Sequence, residues 1–226
     1  MVYAGGDGIL TTLAIVSGAY GGNLSSGVVL IVGISNCIAD ALNMGLGDLI
    51  SGITEAEHFE REKRIFQDEV RRHPEDEMDN LRQIFVEKGM SIPDAHDLVD
   101  MIASNQNLFI EVLMNQELGL KPSDKCGASR ESFVTFMSFL CFSFIPLLSY
   151  LIFPSIFSAH IGHDHMFAFS LIITLIGVFF LGFLKGIYSR ARSIWTGFEM
   201  LIQGATISLI SYLMGRFASS IYHVIN

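Results

Sequence analysis

The sequence predicts an all-α membrane protein with five transmembrane helices and a cytosolic helical insert between the second and the third. Half of the 226 residues are hydrophobic and only 16% are charged, whereas an ordinary soluble domain carries about a quarter charged residues. The charges are also concentrated, because segment 54–125 holds 17 of the 23 acidic and 9 of the 14 basic residues. The chain is thus apolar apart from one acidic insert, and this acidity argues against a nucleic-acid partner.

Five apolar segments are long enough to cross a bilayer, which takes roughly 20 helical residues. We predict the spans at residues 1–20, 27–50, 133–157, 166–184 and 195–217. Pro146 and Pro154 fall in the third span, where neighbouring groups have to satisfy the backbone carbonyls that proline frees. The predicted layout is helices one and two in 1–53, the acidic domain in 54–125, and helices three to five in 126–226.

The insert is predicted to be a small helical domain. The second helix is expected to continue beyond the membrane as far as Arg72, and the next helix to begin at Pro74, since proline is favoured in a first helical turn. Gly89 and Gly119 are expected to end helices, because glycine adopts the left-handed conformation of a C-cap at little cost. One or two further helices lie between these glycines.

Basic residues indicate the orientation of the chain. Cytosolic loops of membrane proteins are enriched in Lys and Arg, and two basic groups occur on the same side of the predicted topology, at Arg61, Lys63 and Arg64 and at Lys185, Arg190 and Arg192. The insert and the N-terminus are therefore predicted to be cytosolic, with only Arg216 on the opposite side. The loop with His160, His163 and His165 would face a lumen or the exterior, where it binds metal, senses acidity or does neither.

The second apolar segment carries a polar stripe. Asp40, Met44 and Asp48 recur at every fourth residue, and Asp7 occupies the cytosolic end of the first span. An ionisable residue inside a membrane segment costs roughly 2.5–3.5 kcal/mol on insertion scales and marks a functional site. Carboxylates combined with a thioether suit a borderline ion such as ferrous iron better than calcium or magnesium. The stripe predicts a cation path, although its carboxylates could instead cap polar helix ends.

A second set of candidate ligands occurs in the insert. Glu69, Glu77 and Glu117 are placed on separate predicted helices, and Met114 precedes Glu117 by almost one turn. Carboxylates on separate helices of a bundle can bind a divalent metal jointly. Two simpler interpretations stay open, because acidic residues often form a solvated helix face and a methionine at helical spacing often belongs to the core.

Several of these motifs resemble one known family, the vacuolar iron transporters. The resemblance rests on Asp7-Gly8-Ile9, on the stretch 39–51 with the sequence ADALNMGLGDLIS, on Pro74-x-x-Glu77 and on Glu117-Leu118-Gly119-Leu120. It implies a homodimer that exchanges cytosolic ferrous iron, and often manganese, for protons from an acidic compartment such as a vacuole. The ion path would lie at the dimer interface, and no permanently bound cofactor is implied.

The resemblance also ranks the candidate residues. It places the intramembrane ion contacts at Asp7 and Met44, leaves Asp40 and Asp48 as secondary candidates, and assigns a cytosolic metal site to Glu69, Glu77, Glu117 and Met114. The chain departs from the family at Phe66 and Asn80, where the family usually has glutamate, so the cytosolic site is expected to be depleted. The sequence does not rank iron against manganese or zinc.

Other classes of protein fit less well. Gly45-Leu46-Gly47-Asp48 has the GxGD form of an intramembrane aspartyl protease, but that family's partner motifs are missing and five spans are too few. A membrane-anchored di-iron protein would need two Glu-x-x-His pairs, and the chain has only Glu55-x-x-His58. A structural scaffold would not explain an aspartate at position 40. We therefore expect a transporter rather than an enzyme.

Overall fold

The computed structural model of the chain describes residues 2–122, 124–156, 163–190 and 192–225. Within these ranges every regular element is a helix, which confirms the predicted all-α fold. The helices are α1 (Val2–Gly21), α2 (Ser26–Arg72), α3 (Pro74–Glu87), α4 (Ile92–Ala103), α5 (Gln106–Leu118), α6 (Lys125–Ser143), α7 (Leu148–Ile156), α8 (His163–Tyr188) and α9 (Ser193–Ile225).

Helix ends in the first half of the chain follow the predicted signals. Helix α2 runs without a break to Arg72, and Pro74 occupies the first turn of α3. Gly119 caps α5 in the left-handed conformation, at φ +67°, and Gly89 follows α3 with φ +99°. These outcomes confirm the predictions, because proline and glycine act through local backbone geometry that does not depend on the rest of the fold.

The third predicted span is not one helix. Helix α6 ends at Ser143 and α7 begins at Leu148, with a turn between them that contains Pro146. The Pro146 carbonyl accepts a hydrogen bond from the Ser170 hydroxyl of α8 at 2.5 Å, so a neighbouring helix stabilises the interruption. Of the described helices, four are long and apolar enough to cross a membrane, namely α1, α2, α8 and α9.

The chain divides into two compact units. Unit 1 comprises residues 1–47 and 131–226, and unit 2 comprises residues 48–130. In unit 1, α1 packs against α8 and α9, and its Ile9 and Leu10 join a core with Val178, Leu181 and Met200. Helix α1 therefore lies in the interior of unit 1, and more than half of its residues are buried.

Small residues allow α1 and α9 to approach closely. A Cβ atom on Gly21 would overlap the Tyr212 carbonyl, and one on Gly215 would overlap the backbone of Gly18. Beside this contact, the hydroxyls of Ser17 and Ser208 share a hydrogen bond of 2.7 Å. The closely spaced glycines of α1 thus serve packing within one chain, where small residues let helix backbones meet.

A buried polar network joins α1, α2 and α6. The Thr12 hydroxyl and the Cys37 thiol lie 3.2 Å apart, and the thiol donates to the Ser143 carbonyl at 3.7 Å. The Ser143 hydroxyl in turn donates to the Phe139 carbonyl at 2.7 Å. Because water does not reach these groups, the mutual hydrogen bonds fix how the three helices meet.

Unit 2 closes around its own hydrophobic core. The fully buried side chains include Leu81 of α3, Val99 of α4 and Leu113 of α5, and the C-terminal half of α2 contributes Phe59 and Phe66. Ser91 and Asn105 cap the N-termini of α4 and α5 by accepting backbone N–H groups. The acidic side chains lie outside this core.

Candidate ion-binding sites

Helix α1 presents one polar stripe on an otherwise buried surface. Tyr3, Asp7 and Thr11 are exposed, while the intervening Gly6, Gly8 and Leu10 are buried. The spacing of four places the three exposed side chains above one another on one helix face. Asp7 is therefore accessible from outside this chain rather than enclosed by it.

One cation of the same unit lies near Asp7. Lys185, in the last turn of α8, is close enough for its charge to act on the Asp7 carboxylate. Its ammonium also lies 4.9 Å from the centre of the Tyr3 ring, a separation typical of a cation–π contact. An entering divalent cation or a proton would thus compete with Lys185 for the same carboxylate.

Met44 of α2 packs in a small apolar cluster of unit 1. It is partly buried and packs against a cluster of Ala4, Ala41 and Phe139, and Ala4 precedes Asp7 by three residues on α1. Met44 thus shares a cluster with the turn of α1 that precedes Asp7. The pairing of a hard oxygen with a soft sulfur at these two residues stays a prediction.

Asp40 lies one turn before Met44 on α2 and is partly buried. It accepts a hydrogen bond of 2.5 Å from the Asn36 side-chain amide. A carboxylate with a neutral donor keeps its remaining lone pairs for a cation, so this contact leaves Asp40 able to bind one. Asp48 is exposed on α2 and is the first residue of unit 2.

The three candidate glutamates of the insert, Glu69, Glu77 and Glu117, lie close enough for their charges to interact. Burial raises the pKa of Glu77, and the charges of Glu117 and Glu69 raise it further. Burial, followed by the charge of Glu69, likewise raises the pKa of Glu117, against the lowering effect of a hydrogen bond that the Asn80 amide donates to it. Mutual repulsion of this kind favours whatever neutralises the group, a proton or a metal ion.

Two neighbours of these glutamates belong to the core of unit 2. Met114 is 0% exposed and Phe66 is 6% exposed, and both pack in the same apolar cluster. The position of Met114 matches the core interpretation that the sequence left open. Among the described residues, no three His, Cys, Asp or Glu side chains stand close enough to hold a metal ion.

Some neighbours of the candidate residues could have been predicted from the sequence because they lie on the same helix. Others could not, because they lie on a different helix. The i,i+4 spacing of Asn36 and Asp40 on one helix was a readable signal for their hydrogen bond. The approach of Lys185 to Asp7 depends on how α1 and α8 pack, which no local pattern reports. Of the predicted histidine loop, His160 and the side chain of His163 lie outside the described residues, and His165 is exposed.

Comparison with known proteins decides the class of protein to which this arrangement belongs. The family model described as the VIT family matches residues 1–216. The chain belongs to the VIT family, the vacuolar iron transporters. It is 31% identical over 218 residues to the vacuolar iron transporter of Plasmodium berghei, across 95% of this chain and 80% of that protein.

Two further relatives are also similar over most of this chain. The vacuolar iron transporter of Toxoplasma gondii is 32% identical over 95% of this chain and 72% of its own length, and vacuolar iron transporter 1 of Arabidopsis thaliana is 29% identical over 93% and 81%. The VIT family contains transporters and not enzymes, which confirms the expectation that the chain is not an enzyme. The protease and di-iron alternatives are therefore not favoured.

Proposed function

We propose that the chain moves ferrous iron from the cytosol into a vacuole-like acidic compartment in exchange for protons, with manganese as a second substrate. Support for the substrate comes from the relatives, which are named vacuolar iron transporters. Support for the route comes from Asp7, which is exposed on the apolar helix α1, and from Met44 of α2, which packs in a cluster with Ala4 of α1.

Ferrous iron is a borderline ion, and the chemistry of this pair fits it. The Asp7 carboxylate supplies a charged oxygen and the Met44 thioether a soft sulfur, while calcium and magnesium prefer sites made of oxygen alone. Asp40 would follow one turn deeper along α2, about 6 Å from Met44 at 1.5 Å per residue. We propose that these three side chains form the wall of the ion path.

Proton exchange follows from competition at the same carboxylate. A group that binds a divalent ion must release its proton first, so metal binding and protonation exclude each other. An acidic compartment would protonate Asp7 and release the metal there, and the neutral cytosol would deprotonate it again. Transport in this scheme draws its energy from the proton gradient.

A second copy of the chain would complete the path. Asp7 and Thr11 are exposed on a membrane helix, and a carboxylate facing lipid is costly by roughly 2.5–3.5 kcal/mol. Pairing two chains across this stripe would cover both carboxylates and place them around one ion. We therefore propose a homodimer with the path at its interface.

The insert would collect the ion before it enters the membrane. We propose that Glu69, Glu77 and Glu117 form a cytosolic acidic face of modest affinity, with Asp48 at the entrance of the path. Phe66 and Asn80 occupy positions where the family resemblance leads us to expect glutamate, so two carboxylates are missing. Phe66 instead lies in the apolar core, and Asn80 donates a hydrogen bond to Glu117. This arrangement favours a low occupancy in the insert, with Met114 as packing.

The experiment that tests the proposal measures ferrous iron uptake into proteoliposomes with an imposed pH gradient. Wild-type uptake should require the gradient, while Asp7→Ala and Met44→Ala should abolish it. Asp97→Ala removes an exposed carboxylate of α4, and Met214→Ala removes an exposed methionine of α9, so both serve as matched controls that keep full transport. Uptake that ignores the gradient, or that survives Asp7→Ala, would refute the mechanism.

A further inference from the structure

A polar pocket lies where the ends of α1 and α9 meet. Its volume is about 430 Å³, and its lining includes Asn23, Arg216, Ser219 and Ser220 together with Tyr20 and Tyr212. All of these side chains carry hydrogen-bonding groups, and Arg216 adds a permanent positive charge. A pocket of this composition is suited to an oxyanion.

Arg216 retains most of its hydrogen-bonding capacity. Its guanidinium donates to the Tyr212 hydroxyl at 3.3 Å, which occupies one of five N–H donors. Among the described residues no carboxylate forms an ion pair with it; Asp164, the acidic residue at this end of α8, instead accepts a hydrogen bond of 2.9 Å from the Tyr20 hydroxyl. The arginine is thus exposed, charged and available to an anionic ligand.

An apolar groove continues directly from the polar pocket. It has a volume of about 320 Å³, is lined by Phe167, Leu171 and Leu175 of α8 and by Ala205 and Leu209 of α9, and shares Tyr20 and Tyr212 with the polar pocket. Positions 205, 209, 212, 216 and 220 follow one face of α9. At 1.5 Å per residue the apolar part of this face, from 205 to 212, extends about 10 Å, which is most of the roughly 15 Å of hydrocarbon in one leaflet.

The position of Arg216 along α9 matches the surface of a bilayer. It follows the basic turn at Arg192 by 24 residues, which is about 36 Å of helix against a hydrocarbon core of about 30 Å. With Lys185 and Arg192 at one membrane surface, Arg216 reaches the headgroup region of the other. This is the one basic residue that the predicted orientation left unexplained.

We propose that the pocket and groove together bind one anionic phospholipid. Its phosphate pairs with Arg216, because a guanidinium donates two parallel hydrogen bonds to phosphate oxygens, and Ser220 and Asn23 offer further polar contacts. One acyl chain lies between α8 and α9 and buries Leu171 and Leu209. Free phosphate would use the polar pocket alone, so the continuous apolar groove favours a lipid.

The test measures the unfolding midpoint of the delipidated protein in a detergent and buffer that contain no phosphate. Four compounds are added separately: phosphatidic acid, diacylglycerol, phosphatidylcholine and inorganic phosphate. Phosphatidic acid should raise the unfolding midpoint at lower concentration than the other three. Arg216→Gln should need at least about tenfold more phosphatidic acid for the same shift, since it removes a charge-assisted hydrogen bond to the phosphate. Arg216→Lys should fall between, because lysine keeps the charge without the fork.

Two more variants separate the parts of the site. Ala205→Phe fills the apolar groove without changing the charge of the protein. It should weaken the binding of phosphatidic acid as much as Arg216→Gln does. Arg192→Gln removes an exposed arginine at the other end of α9 and should leave the shift unchanged. Native mass spectrometry of the same variants counts retained lipid, so a variant with a lower midpoint before lipid addition is still informative.

Three outcomes would overturn the proposal. An equal shift with inorganic phosphate would identify an anion pocket without a lipid, and an equal shift with diacylglycerol would identify an apolar groove without a headgroup site. Unchanged phosphatidic acid binding in Arg216→Gln would remove the arginine from the interaction. None of these measurements involves metal transport, so a failure of the lipid proposal can be distinguished from a failure of the proposed function.

Discussion

Leu81 of unit 2 and Ile31 of unit 1 are both large aliphatic side chains on helices, yet Leu81 is 0% exposed and Ile31 is 70% exposed. Unit 2 encloses a core of apolar side chains and keeps its carboxylates outside that core, as a protein does in water. Unit 1 exposes apolar residues along α2, α8 and α9 and buries hydroxyls such as those of Ser17 and Ser143. The same chain therefore folds against two solvents, water and lipid.

The two solvents also change what a carboxylate costs, because a charge is screened in water and is not screened in lipid. In unit 2, Glu77 and Glu117 repel each other in a setting that water can still screen, so we expect the loss of either one to change the proposed iron affinity only partly. In unit 1, Asp7 is the exposed charge of an apolar helix, where an uncompensated charge is costly. A function assigned to Asp7 should be lost entirely with it, and one assigned to Glu117 should only weaken.

The largest predicted effect compares Asp7→Asn with Glu117→Gln, which each remove one charge at nearly constant size. Asp7→Asn should reduce gradient-driven ferrous uptake by at least about tenfold, the value of one lost charge-assisted contact. Glu117→Gln should keep the maximal rate and raise the half-saturating iron concentration. Initial rates in proteoliposomes across a range of iron concentrations separate the two, and equal losses of maximal rate would contradict the distinction.

A second prediction compares Leu81→Ala with Ile31→Ala. Leu81→Ala leaves a cavity in the core of unit 2 and should lower the free energy of unfolding by about 2–5 kcal/mol. Ile31→Ala removes a side chain from the lipid-facing exterior and should cost far less. Hydrogen exchange of the α3 backbone in the full-length protein measures the first effect, and the thermal midpoint in detergent measures the second. Comparable costs at both sites would show that Ile31 is covered by another chain.

A third prediction concerns the close contact of α1 and α9. Gly215→Ala places a methyl group against the Gly18 backbone, and overpacking of this kind costs about 1–3 kcal/mol. Gly47→Ala is the matched control, since a Cβ there meets nothing within 4 Å and alanine is favoured over glycine in helices by up to about 1 kcal/mol. Thermal midpoints should fall for the first variant and stay level or rise for the second.

The smallest predicted effect is a pH dependence in unit 2. Because burial and the charges of Glu117 and Glu69 raise the pKa of Glu77 above its ordinary value of 4.5, folding favours the protonated form. Stability should therefore fall as pH rises from below 4.5 through the higher pKa of the folded state. Glu77→Gln should flatten this slope and raise the midpoint at neutral pH. A variant with the wild-type slope from pH 4 to 7 would assign the dependence to other groups.

Features encoded within a few residues of the chain could be predicted from the sequence. The continuity of α2 to Arg72, the start of α3 at Pro74 and the cap at Gly119 all follow from local backbone preferences. The sequence indicated that Pro146 disturbs the helix, but it did not indicate that the helix ends there. The turn is stabilised by Ser170, which belongs to another helix. Whether proline kinks a helix or ends it depends on such partners.

The candidate site shows the same limit. Periodicity singled out Asp40 and Met44, since helical spacing is a local property. The neighbourhood of Asp7 and Lys185 could not be predicted, because it arises from the packing of α1 against α8. The burial of Met114 in the unit 2 core was also a matter of tertiary packing, which composition leaves undecided.

The network of Thr12, Cys37 and Ser143 gives the chain its own reporter of helix movement. Cys37 is 1% exposed, while Cys126 and Cys141 are exposed. In a chain with both exposed cysteines replaced by serine, a membrane-permeant thiol reagent would reach Cys37 only when α1, α2 and α6 separate. The rate of that reaction, with and without ferrous iron, would measure how often the junction one turn before Asp40 opens, with no cysteine introduced into the chain.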